Sequence, residues 1–177
     1  MRKVMFVASV MLAAAGTVFA AGSPAHAAVD DAVCPVGSLS IAFNPALTSQ
    51  PQNVAETAQS SYSCVTGADS AIDNSSMQLN GVSCVNLLTA FPPFTDTIGW
   101  IGGTGPATSQ IQWTSTQGTL TTATTLGTVI SGRFAGDSAQ RVVANISLSG
   151  NNPLLCPLGL GTVSGLSGPA TLTILHL

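Results

Sequence analysis

The sequence predicts an all-β domain, an antiparallel sandwich or barrel of about eight short strands with two disulfides. Three observations carry that expectation. Helical periodicity is nearly absent, alternating apolar and polar runs recur between turn clusters, and four cysteines lie in a segment read as exported.

Export is read from the N-terminus. Arg2 and Lys3 precede a charge-free apolar run over 4–15 and then small residues ending in Ala25-His26-Ala27, the order of a secretory signal peptide. Residues 1–27 are expected to be removed, leaving 28–177 as one secreted domain, although Val18-Phe19-Ala20 offers an earlier cleavage site. No later stretch reaches the roughly 18 uninterrupted apolar residues of a membrane helix. Arg2-Lys3 is not a twin arginine, and Asp31-Ala32-Val33-Cys34 is a poor lipidation box. The expected location is therefore extracellular, with neither membrane partner nor lipid anchor.

Composition narrows the partners. Without the signal segment only Arg133 and Arg141 stand against seven acids, a net charge of 2 − 7 = −5. Such a surface has little with which to neutralise phosphates, so no nucleic acid is expected. Few charges can mean disorder, but the chain is 45% hydrophobic with a mean hydropathy of +0.45, enough to build a core.

Along the chain, Leu39, Ile41 and Phe43 alternate with small residues in a first strand that is expected to end at Asn44-Pro45. A loop over 46–51 and a second strand over 53–64 follow. Further strands are expected near 76–84, 96–102, 109–115, 119–134, 140–149 and 170–177, separated by Gly67-Ala68-Asp69-Ser70, Gly102-Gly103-Thr104-Gly105-Pro106 and Ser149-Gly150-Asn151-Asn152-Pro153. Pairing of the last strand with the first would make a barrel; otherwise the fold is a sandwich. If the turn over 135–138 centres on Asp137, Arg133 and Arg141 oppose each other; a shift of one residue places them diagonally.

The cysteines follow the same arithmetic. Cys34 and Cys64 are symmetric about Ser49, and Cys64 and Cys84 about Asn74, so local geometry allows either pairing. Cys34–Cys64 with Cys84–Cys156 is preferred, closing loops of about 30 and 72 residues for roughly 3.6 and 4.4 kcal/mol on the chain-entropy model. The spacings contain no C-x-x-C, and the exported part has one histidine, so zinc is not assigned.

The order Cys34, Phe43-Asn44-Pro45-Ala46-Leu47-Thr48, Tyr62-Ser63-Cys64, Ser83-Cys84, Trp113-Thr114-Ser115-Thr116-Gln117, Gly132-Arg133-Phe134-Ala135-Gly136, Cys156 and Ala170-Thr171-Leu172-Thr173-Ile174 spans nearly the whole exported chain. It resembles a group of small secreted actinobacterial β-proteins, rich in Thr, Gly and Ser, with four cysteines. The resemblance implies export by a Gram-positive bacterium and a β fold, and carries over no activity and no functional residue.

Residues able to carry chemistry are few. His176, second from the end, is the one base for Ser/His/Asp hydrolysis and is read as an outward residue of the last strand. A carboxylate hydrolase would have to pair Glu56, the single Glu, with Asp69, Asp73 or Asp96, and spacing selects no pair. Asp69, Asp73, Asn74 and Ser76 offer oxygen ligands of the kind calcium takes, and equally the residues any turn uses. Trp100 and Trp113 could make a stacking platform, although alternation points Trp113 into the core. Phe91-Pro92-Pro93-Phe94 reads as a loop that either caps the fold or displays an apolar patch.

The expected function is a non-enzymatic extracellular protein, structural or a binding module for an unknown protein or small ligand. Phe91, Phe94 and Trp100 form its possible binding surface. A small-ligand carrier and a carboxylate-dependent hydrolase are the alternatives. No cofactor, catalytic residue or metal ligand is assigned.

Overall fold

Ten strands and one 3-10 helix account for most of the described residues, 30–87, 91–119 and 121–176 of the computed structural model. The expected signal segment and its cleavage point before Ala28 lie outside them. The strands are β1 (Asp30–Cys34), β2 (Val36–Leu47), β3 (Gln52–Ser63), β4 (Ser70–Val82), β5 (Phe94–Ile101), β6 (Thr108–Gly118), β7 (Thr122–Gly132), β8 (Ser138–Ala144), β9 (Ser147–Ser149) and β10 (Val163–Leu175).

β1 and β2 form one line broken at Pro35, and β8 and β9 another broken at Asn145 and Ile146, where Asn145 has φ 50°. Counted as such lines, eight antiparallel strands run up and down in chain order. β10 closes the ring, pairing with β1 and β2 along one edge and with β8 and β9 along the other. The fold is thus a closed barrel rather than a sandwich, and closure removes the exposed ladder edges an open sheet would present.

Alternation builds the interior. Leu39 and Phe43 of β2, Val54 and Tyr62 of β3, Ile98 of β5, Ile111 and Trp113 of β6 and Leu172 and Ile174 of β10 all point inward and are buried. Each large aliphatic buried this way stabilises by about 1.5–3 kcal/mol. A second cluster, Leu47, Leu79, Val82, Cys156 and Val163, fills the barrel end where β2 stops and β10 starts. There the Cys84–Cys156 disulfide fastens the turn after β4 to the 3-10 helix Pro153–Leu158. At the opposite end Cys34–Cys64 joins β1 to the end of β3. Both bonds are the preferred pairing.

Several boundaries differ from expectation, each for a local reason. β2 runs through Asn44-Pro45 because Pro45 falls where the ladder to β10 is already bulged, so its missing N–H breaks no bond there. β4 begins at Ser70, not near 76, so Asn74 is paired with Gln59 and is no loop centre; the inward polar residues Asp73 and Ser75 hid the alternation. β10 begins at Val163, not near 170. Its Pro169 lies where the partner changes from β9 to β8. The β7–β8 ladder pairs Thr125 with Arg141 and centres near 133, so Arg133 and Arg141 neither oppose nor flank each other. Arg133 instead donates to the carbonyls of Pro106, Gly102, Gly67 and Gly105 at one barrel end.

One glycine is fixed by a close approach. Gly127 lies opposite Trp113, and a Cβ there would meet the Gln112 carbonyl oxygen at 2.5 Å and the indole at 2.9 Å. Gly127→Ala is expected to destabilise by about 1–3 kcal/mol through overpacking, read as a lower urea midpoint at unchanged m.

Candidate ligand-binding site in the barrel lumen

Arg141 stands on β8 between the inward residues Ala139 and Val143, so period-two geometry aims a guanidinium into the lumen. It crosses to Asp73 on β4 and Asp96 on β5, with Nη2 at 3.1 Å and 3.2 Å from their carboxylate oxygens. On the way it lies over the Trp113 ring, 4.7 Å from its centroid, a cation–π contact strengthened by the burial of both side chains. Ser60 of β3 donates to the same Asp73 oxygen at 3.4 Å. Glu56, two positions further along the inner face of β3, completes the group. Exposure is 5% for Arg141, 1% for Asp73, 2% for Asp96 and 3% for Glu56.

Burial sets the protonation of this group. Burial pushes Glu56 up to about 7, the Asp96 charge adds to the rise, and Arg141 offsets part of it. Asp73 is likewise pushed up to about 7, first by burial and then by its hydrogen bond to Asp96, against the pull of Arg141. Burial opposes the charge on Arg141, but Tyr62, Asp73 and Asp96 outweigh it and the pKa rises. Three carboxyl groups therefore share one fixed cation, and burial favours the protonated form of two of them, Glu56 and Asp73.

Beside this cluster is a cavity of about 50 Å³. Its wall is largely apolar, with Leu39, Ile41, Phe91, Phe94, Val143, Ile146 and Leu166, and Glu56 and Arg141 supply its charged groups. Space of that size holds about three to five waters. Among the described residues five buried side-chain atoms lack a hydrogen-bond partner, Tyr62 Oη, Asp73 Oδ1, Trp113 Nε1, Glu56 Oε2 and Arg141 Nε, and of these only Glu56 and Arg141 line the cavity. Buried polar atoms are nearly always paired, and these two, of opposite polarity, belong to residues that line one cavity.

The residues proposed from sequence separate. Phe91 and Phe94 are half-buried and line this cavity, Phe94 packing 6.4 Å from Trp113 in a tilted pair. Trp100 belongs elsewhere: it is buried at the other end, edge-on to Phe134, and its indole N–H donates to Ser109 at 2.8 Å. It shares no exposed surface with Phe91 and Phe94. Trp113 is buried in the core. The carboxylates Glu56, Asp73 and Asp96 come together, whereas Asp69 packs beside Gly102. Asp73, Asn74 and Ser76 lie in β4 with Asp73 inward and the other two outward, which dissolves the supposed calcium loop.

Two further groups emerge only from the structure. Asp31, Asp137 and His176 meet near one barrel end with ligand atoms within 4.8 Å of one another; His176 Nδ1 is 2.9 Å from Asp137 and 3.5 Å from Asp31. A hydrogen bond to Asp137 raises the Asp31 pKa, while His176 opposes the rise. Leu154, Leu155, Leu158 and Leu160, in and after the 3-10 helix, are exposed. Comparison of the chain with family models, curated proteins and solved structures finds no match.

Proposed function

We propose that the chain is an exported, non-enzymatic binding protein whose barrel lumen takes up a small, largely apolar ligand. The observation that carries this reading is the pair of unpartnered atoms, Glu56 Oε2 and Arg141 Nε, on the two charged residues that line a largely apolar cavity, whose other polar lining is the hydroxyls of Ser75, Thr116 and Thr125. Eight-stranded barrels are either filled by side chains or hold one small ligand. Ligand sites are typically apolar with a few placed polar groups, which is the make-up of this one. The two disulfides suit an oxidising, extracellular setting, and no helix among the described residues is long and apolar enough to cross a membrane.

The test is a native mass spectrum of protein purified from its own culture medium. A small adduct that leaves on denaturation is expected. Ala123→Phe, which fills the cavity from β7, is expected to abolish it while the fold persists. A bare mass in the parent protein, together with no response of Trp113 fluorescence to small apolar alcohols, would remove the reading.

The gathering of Glu56, Asp73 and Asp96 favours one second reading, a carboxylate-dependent hydrolase. The small volume beside them weighs toward the carrier. Turnover of an aryl glycoside that disappears in Glu56→Gln would reverse that order.

A further inference from the structure

We infer that the buried head of the lumen ligand is a neutral group that both donates and accepts a hydrogen bond, as in a small alcohol or primary amide. The inference rests on the lumen reading and adds the chemistry of the guest. The two orphaned atoms have opposite demands. When ionised, as it mostly is at pH 8, Glu56 Oε2 is an acceptor that lacks a donor, and the Arg141 Nε–H is a donor that lacks an acceptor. A hydroxyl or a carboxamide meets both demands at once.

Charged heads fail on the same wall. An ammonium supplies hydrogens to Glu56 but sits beside the Arg141 guanidinium and leaves its Nε–H unpaired. A carboxylate accepts from Arg141 but meets Glu56 directly, with Asp73 and Asp96 already on the far side of the same guanidinium. Like charges held close in a dry interior repel far more strongly than in water. A wholly apolar guest leaves both atoms unsatisfied. Water provides donor and acceptor together, so a ligand gains over water through its tail, which covers Leu39, Ile41, Phe94 and Leu166.

The cavity's size selects a guest of roughly three to five water volumes, so four-carbon probes are the appropriate scale. The experiment titrates the folded, disulfide-bonded chain at pH 8 with 1-butanol, butyramide, butylammonium and butyrate, followed by the Trp113 indole resonance. The alcohol and the amide are expected to bind at least tenfold more tightly than either ion. If an ion binds tightest, or all four bind within twofold, the lumen reading stands and this inference falls. If none binds, both fall.

Two further measurements tie the preference to Glu56. In Glu56→Leu the affinity for 1-butanol is expected to drop about tenfold while near-ultraviolet circular dichroism is retained; a folded variant that binds unchanged overturns the assignment. The pH series needs no variant. The alcohol stays neutral throughout, while the groups facing the cavity head are Glu56 on β3, Arg141 on β8, and behind it Asp73 on β4 and Asp96 on β5. Glu56 is pushed up to about 7, so affinity is expected to rise threefold or more from pH 5.5 to 8.5 as the ionised carboxylate accepts a stronger, charge-assisted bond. A flat or falling profile contradicts the inference.

Discussion

Arg141→Met is expected to destabilise the domain by about 3–5 kcal/mol above neutral pH, because it strips the lumen of its one cation and leaves buried carboxylates unpaired. The loss is expected to shrink in acid, and the sign follows from the protonation of the acids. Glu56 and Asp73 have folded pKa values of about 7 against ordinary values of 4.5 and 3.8, so between roughly pH 4 and 7 the folded state binds more protons than the unfolded one. Stability therefore falls as pH rises through that window, already in the parent protein. Without Arg141 both carboxyls move higher still, so the penalty deepens on the alkaline side and is relieved below about pH 5. Urea denaturation at pH 4.5 and 8.5 checks this. An Arg141→Met loss that is equal at both pH values, or larger in acid, would mean that the guanidinium acts through packing on Trp113 rather than through charge.

The part of the fold that sequence conveys is the part carried by local alternation. Leu39-Ser40-Ile41-Ala42-Phe43 announces β2, and Ile111-Gln112-Trp113 announces β6 and places Trp113 inward. The symmetry of Cys34 and Cys64 about Ser49 is informative because the β2–β3 ladder, with Ser40 opposite Gln59, centres beside that residue. The symmetry of Cys64 and Cys84 about Asn74 misleads because that stretch is strand, with Gln59 opposite Asn74. The lumen cluster escapes the same reasoning for a physical reason. Its members occupy inward positions where the pattern calls for apolar residues: Glu56 between Val54 and Ala58, Asp73 after Ala71, Asp96 before Ile98, Arg141 between Ala139 and Val143. Read alone, each looks like a solvated residue of an irregular strand. Parity does carry a signal, since four charges share the inner face of their strands. What places them in contact is ring closure, which brings Arg141 to partners 68 and 45 residues away in the chain.

Removal of the Cys84–Cys156 bond by paired Cys84→Ser and Cys156→Ser substitutions is expected to cost about 4.4 kcal/mol, against about 3.6 kcal/mol for the equivalent Cys34 and Cys64 pair, since the two bonds close loops of 72 and 30 residues. The difference arises mainly in the unfolded chain, where the longer loop gains more freedom when released. Packing adds in the same direction. Cys156 is fully buried against the Leu47–Leu79–Val163 cluster, and the bond holds the 3-10 helix Pro153–Leu158 over that end of the barrel. At roughly 2–4 °C per kcal/mol for a domain of this size, the melting temperature is expected to drop by about 9–18 °C on loss of Cys84–Cys156. Non-reducing peptide mapping of the parent chain fixes the starting point: Cys34 linked to Cys64, Cys84 linked to Cys156, and no free thiol. Calorimetry of the two paired variants then ranks the bonds. A larger loss from Cys34 and Cys64 than from Cys84 and Cys156 would reverse the loop-length ordering and place the stabilisation at the β1 end of the barrel instead.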